Sequence, residues 1–141
     1  MRYWDSSAIV PLLVQQEASD RMKALFSEDP VLAVWWGTRV ECDSAIVRLE
    51  REGFLSASGV QKAFGRLDDL AALWHEIQPV DVLRETARRI LRLHHLRAGN
   101  ALQLAAASLA AEQRASTLEF ICLDEPLALA AAREGFVVLA G

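Results

Sequence analysis

Lysine is scarce in this 141-residue sequence: only Lys23 and Lys62 occur, and 15 basic residues face 19 acidic ones, for a net charge of −4. With a pI of about 5.4, bulk charge gives no attraction for a polyanion, so any nucleic-acid chemistry must rest on a local patch or on a site that holds cations. Cysteine is scarce too. Cys42 and Cys122 lie far apart in apolar surroundings, with no CxxC spacing and no Cys/His partner. That excludes a disulfide framework and argues against a zinc site; both read as reduced, buried thiols. No apolar run is long enough to cross a bilayer. Nor does a charged n-region precede a long apolar h-region, so the expectation is a cytoplasmic protein with neither leader nor membrane segment. No GxGxxG is present, which excludes the usual dinucleotide fingerprint.

What the sequence does have is apolar mass: 52% of residues are hydrophobic, enough for a packed core in one domain spanning 1–141. Tyr3 and Trp4 suit a buried strand that stops at Asp5, where Ser6 and Ser7 can open a helix. Ser19–Glu28 is amphipathic, with Met22, Leu25 and Phe26 on one side, and Asp29-Pro30 ends it. Val31–Val34 predicts a second strand, and Trp35–Glu52 a helix stopped by Gly53. Ser56 or Ser58 caps a helix reaching about Glu76. Ile77–Val80, with Pro79, predicts an edge strand. Asp81 is expected to cap a helix over Val82–His95, and Asn100 to open another reaching Arg114. Leu118–Leu123 is the clearest strand, and Asp124 follows it. Pro126 opens a short helix, Gly135 closes it, and Phe136–Leu139 is a last strand. Strands alternating with helices predict an α/β fold: a small parallel sheet flanked by helices in three layers.

The acids carry the chemistry. Asp5 and Asp124 repeat one arrangement, an apolar strand, then the acid, then a helix. Two parallel strands ending this way set both carboxylates on one sheet edge, where open α/β sheets bind ligands. Adjacent carboxylates repel unless a cation neutralises them, and Mg²⁺ or Mn²⁺ suits oxygen ligands. Independent helix capping is the plainer reading of each acid alone; the repeat favours a shared site. Glu41 sits among Val40, Cys42, Ala45 and Ile46 and is expected to face inward, with Asp43 facing solvent. Asn100 can cap a helix and offer an amide oxygen to a metal, but brings no charge.

YWDSSAIVPLL, VECDSAIVRLEREG, LRAGNALQLAAA and FICLDEPLALAAAREGF, in this order and spacing, resemble the four blocks of PIN-domain ribonucleases, with the VapC-type toxins of bacterial toxin–antitoxin pairs as the nearest likeness. The resemblance covers nearly the whole chain. It implies a PIN domain with an acidic pocket holding Mg²⁺ or Mn²⁺, endonucleolytic hydrolysis of RNA, a small cognate antitoxin partner and a homodimer. Carried over by position, Asp5, Glu41 and Asp124 are the catalytic and metal-holding acids, Asn100 completes the metal set, and Ser7 supports it. Asn100 stands where the resemblance implies an aspartate. The implied consequence is a weakened ribonuclease; the alternative is a catalytically inactive PIN-like binding domain.

A phosphatase of the haloacid-dehalogenase type wants a second Asp two residues after Asp5, where Ser7 stands. A receiver domain wants a late Lys, which is absent. Arg84, Arg88 and Arg92 recur every four residues on one predicted helix, with Arg89 and Arg97 nearby. They form either a solvated face paired with Asp81 and Glu85 or a track for an RNA backbone. Trp35 and Trp36 must point differently, one to the core and one to a partner surface. His75, His94 and His95 read as surface or packing residues.

Overall fold

The computed structural model describes residues 1–139. Five short parallel strands form one sheet in the order β3-β2-β1-β4-β5: β1 Arg2–Trp4, β2 Leu32–Trp35, β3 His75–Ile77, β4 Glu119–Ile121 and β5 Val137–Leu139. The helices are α1 Ser6–Leu13, α2 Ser19–Glu28, α3 Thr38–Arg51, α4 Ala57–Ala71, α5 Asp81–Leu93, α6 Ala98–Ala110 and α7 Glu125–Arg133, with a 3₁₀ turn at Ala115–Thr117.

Strand alternation builds both faces. Tyr3, Ala33, Trp35 and Phe120 point to one side and join Leu83, Ile90 and Leu104 in a core under α5, α6 and α7. Trp4, Leu32, Val34 and Ile121 point to the other and meet Ile9, Leu13, Met22, Ile46 and Leu67 of α1–α4. Both faces are covered, as parallel sheets require. Tyr3 pairs in register with Phe120, and their rings stack at 5.1 Å. Buried alanines at 101, 105, 106 and 107 of α6 leave room for that helix to lie close against the sheet.

The topology reverses between β1 and β4. From β1 the chain runs outward through β2 to β3, with α1–α4 on one face. It then returns by α5 and α6 to β4 and continues outward the other way to β5. Right-handed crossovers in opposite directions put α1 and α7 on opposite faces. The adjacent ends of β1 and β4, Trp4 beside Ile121, therefore open into a crevice.

Several boundaries differ from the sequence expectation. β2 runs one residue further than predicted, to include Trp35, because that side chain is packed in the core; α3 then begins at Thr38. α4 ends at Ala71, capped by Ser56, whose hydroxyl accepts from the Gly59 N–H. β3 is His75–Ile77 and lies at the sheet edge as expected, since Pro79 has no N–H to extend it. Asp81 does not cap α5: it lies in the first turn and pairs with Arg84, while Val80 holds the cap position. Asn100 does not open α6, which begins at Ala98 with Arg97 at the cap; Asn100 is the third residue, within the first turn. α6 ends at Ala110, and Glu112 and Gln113 turn through positive φ. Gly53 and Gly135 (φ +82° and +99°) stop α3 and α7 as read from the sequence. Each is followed by a residue whose N–H reaches five residues back, Phe54 to Leu49 and Phe136 to Ala131.

Candidate active site

Asp5 leaves β1 and becomes the N-cap of α1. One carboxylate oxygen, Oδ2, accepts from the Ser7 N–H at 3.1 Å and from the Ser7 hydroxyl. The Ser7 oxygen in turn accepts from the Leu123 N–H at 2.9 Å. Ser7 thus ties the turn after β1 to the turn after β4, a role beyond helix capping. The other oxygen of Asp5, Oδ1, is buried and has no hydrogen-bond partner.

Asp124 leaves β4 in the same way and caps α7, accepting from the Leu127 N–H at 3.0 Å. The same oxygen accepts from the Asn100 amide at 3.3 Å. Both aspartates thus cap helices, and both also line one cavity. Glu41 projects from the first turn of α3. Its Oε2 accepts from the Ser6 hydroxyl at 2.9 Å and its Oε1 from the Gln103 amide at 3.1 Å.

These groups line one cavity of about 650 Å³, in which Asp5, Glu41, Asn100 and Asp124 converge with Ser6, Ser7 and Arg48. Glu41 faces it, as the apolar surroundings implied; Asp43 does not line it. Burial raises the Asp5 carboxyl above the ordinary carboxylate range, and the charge of Asp124 pushes the same way against donors from Ser7. Burial also raises Glu41, with Asp5 adding repulsion against donors from Ser6 and Gln103. Among the described residues, none of the three acids forms an ion pair with Lys, Arg or His. Buried negative charge without a cationic partner is costly, and the unpartnered oxygen of Asp5 is where a cation would relieve it.

The donor set fits a hard divalent ion on that ground, with a qualification of composition. Among the described residues no three His, Cys, Asp or Glu side chains gather into a set that holds a metal alone. Mg²⁺ is held by one or two carboxylates together with waters, which the Asp5–Asp124 pair can supply. Asn100 is turned so that its amide N–H₂ meets Asp124. As a ligand it would present its oxygen instead.

Of the three arginines marked in the sequence, none lines this cavity. Arg84 pairs with Asp81, and Arg84 and Arg88 border a separate hollow on α5 with Asp81 and Glu85. Two other basic residues adjoin the acids: Arg97, which the sequence sets near that stripe, and Arg48, which it does not single out. Arg48 stands on the cavity wall, and Arg97 lines a second hollow that shares Asn100 and Asp124 with it. That hollow continues past His95, Leu96 and Pro126 into a groove reaching Leu129 and Arg133. Spacing offers a signal for Arg48, seven residues or two helical turns after Glu41. His94 is tied to Glu134, and Arg89 joins the same carboxylate. Trp35 is core and Trp36 is half-exposed, as their adjacency required.

The fold is α/β: a five-stranded parallel sheet with helices on both faces, and the acids converge where its strand order reverses. No family model matches the sequence, and no curated protein matches it. Solved structures do. A chain of FitAcB from Neisseria gonorrhoeae superposes with a TM-score of 0.64 at 18% identity, covering 99% of this chain and 96% of that one. A chain of FitAB bound to an IR36 DNA fragment gives 0.65 at 16% identity, with 99% and 94% coverage. At such identities the likeness is one of fold.

Proposed function

We propose that this chain is a Mg²⁺- or Mn²⁺-dependent endoribonuclease, the toxin component of a toxin–antitoxin pair, weakened by Asn100. The observation that carries the reading is the buried, unpartnered Oδ1 of Asp5 beside two further acids that lack a cationic partner. The shared fold supports the toxin–antitoxin assignment. Asp5 and Asp124 would hold the cation, with Glu41 oriented toward it and Asn100 in the place of a fourth ligand. When bound, the ion supplies a water of lowered pKa and neutralises charge on the phosphoryl oxygens. The protein's own part is positional. Ser7 fixes Asp5 against β4; Ser6 and Gln103 fix Glu41; Arg48 and Arg97 meet phosphates on either side of the acids. Arg84, Arg88 and Arg92 on α5 engage only a longer RNA. A small cognate antitoxin covers the acidic cavity, and the toxin is a cytoplasmic homodimer.

A second reading has its own observation. The Asn100 amide donates to Asp124 Oδ1, the same oxygen that caps α7, and so already engages part of that carboxylate. A binding domain without activity follows if that contact persists. One experiment separates the two. RNA is incubated with the native chain, Asn100→Asp and Asp5→Asn, with Mn²⁺ or EDTA. The nuclease reading expects slow Mn²⁺-dependent cleavage by the native chain, faster cleavage by Asn100→Asp and none by Asp5→Asn. Cleavage that persists in EDTA or in Asp5→Asn overturns it, and inactivity of Asn100→Asp favours the binding domain.

A further inference from the structure

The core between α6 and the sheet contains one residue that apolar packing does not explain. Gln103 is fully buried in a helix whose inward neighbours are Ala101, Leu104, Ala105, Ala106 and Ala107. An amide buried there is costly unless every polar atom is satisfied, and a leucine would fill the space without that cost. Gln103 is satisfied. Its Oε1 accepts from the Tyr3 hydroxyl at 2.7 Å. Its Nε2 donates to Thr38 Oγ1 at 3.0 Å and to Glu41 Oε1 at 3.1 Å. Tyr3 and Thr38 are fully buried as well.

The direction of this chain is set by chemistry. A carbonyl oxygen only accepts and a carboxylate only accepts, so the tyrosine O–H must meet the amide oxygen and the amide N–H must meet Glu41. Burial holds Tyr3 well above its ordinary pKa, so the hydroxyl keeps its proton. Both N–H bonds of the amide are then used, and Gln103 has one orientation. Ser6 holds the other oxygen of Glu41. The carboxylate, which lines the cavity, is thereby held at both oxygens. α6 carries Asn100 against Asp124 and, three residues on, Gln103 against Glu41; at that spacing both lie on one face of the helix.

We propose that Gln103 is a positioning residue for the metal site: it orients the Glu41 carboxylate toward the ion, and Tyr3 locks it from the centre of the sheet. This rests on the metal-dependent reading above. Hydrogen-bonded supports of metal ligands are typically worth about 10–100-fold in metal affinity. The test is Mn²⁺ titration by calorimetry, with thermal melting alongside, on the native chain, Gln103→Met, Tyr3→Phe and the double variant, and again in the Asn100→Asp background. Gln103→Met should bind Mn²⁺ at least about tenfold more weakly. Tyr3→Phe, which does not line the cavity, should weaken binding by a smaller factor, and adding it to Gln103→Met should weaken binding no further. If both variants lower the melting temperature but bind Mn²⁺ as the native chain does, Gln103 is only core polarity and the proposal fails. Should Gln103→Met not fold, Tyr3→Phe decides: unchanged affinity overturns the lock. Absence of Mn²⁺ binding by every variant, Asn100→Asp included, overturns the metal-dependent reading itself and this inference with it.

Discussion

Asn100→Asp tests the site most directly, because the structure assigns the residue a different job from the one its sequence suggests. Read as a helix cap, Asn100 should tolerate aspartate with little change in stability, since both residues cap well. The structure places it in the first turn of α6, past the cap position, donating to Asp124 at 3.3 Å. Aspartate there removes a donor to a charged acceptor and adds a like charge near Asp124. Two unit charges about 4 Å apart repel by about 1 kcal/mol in water and about 4 kcal/mol at an effective dielectric of 20. A negative charge in the first turn of a helix returns about 0.3–1 kcal/mol. The metal-free variant should therefore lose about 1–4 kcal/mol, or about 3–14 °C in melting temperature for a domain of this size. A divalent ion reverses the sign, because the added carboxylate becomes a ligand. Mn²⁺ at about a hundred times its dissociation constant restores about 2.7 kcal/mol by linkage alone. The assay is thermal melting of both chains in EDTA and in rising Mn²⁺, with calorimetry for affinity. The variant should melt lower than the native chain in EDTA, bind Mn²⁺ at least about tenfold more tightly, and gain more from it. Equal melting in EDTA would show that the Asn100 amide does not relieve Asp124; equal affinity as well would remove Asn100 from the metal set.

Two further outcomes follow from the same geometry. Asp5 and Glu41 sit above their ordinary values of 3.8 and 4.5, with burial the largest cause for both. In the window between the ordinary and raised values the folded chain holds more protons than the unfolded one. Metal-free stability contributed by these acids therefore falls as pH rises through that window, while Mn²⁺ affinity rises as the ion displaces the protons. Urea unfolding of the native chain against Glu41→Gln, over about pH 4 to 7, should show the native chain's relative stability declining with pH; a rise would contradict the burial argument. For substrate contact, Arg97→Glu in a chain inactivated by Asp5→Asn should weaken RNA binding, measured by fluorescence anisotropy, more than Arg88→Glu does, and the loss should shrink at high salt. A larger effect at Arg88 would move the substrate path from the groove beside Asp124 to α5.

Periodicity and punctuation alone determined the order of elements, because they act locally. The Tyr3-Trp4 and LEFICL runs are apolar at strand length, the Gly53 and Gly135 stops are conformational, and the acid after each strand doubles as a cap. Parallel pairing followed from alternation of strands and helices. So did the prediction that Asp5 and Asp124 share an edge, although the adjacency of β1 and β4 depends on a return crossover that spans β2 and β1. Tertiary structure decided what local signals cannot encode. Asp81 pairs with Arg84 instead of capping, because the side chain's partner is chosen after the helix has formed. Asn100 lies inside α6, and its role comes from Asp124, 24 residues away. Gln103 meets Glu41 across 62 residues and Tyr3 across 100, contacts that nothing in a helix written AGNALQLAAASLA announces except one polar letter on its buried face. The arginines flanking the acids, Arg48 and Arg97, likewise gain their place from packing, whereas the regular stripe on α5 borders a different hollow. Local sequence sets which groups can end a strand or cap a helix; the long-range hydrogen bonds around the acids exist only once β1, α3, α6 and β4 are assembled.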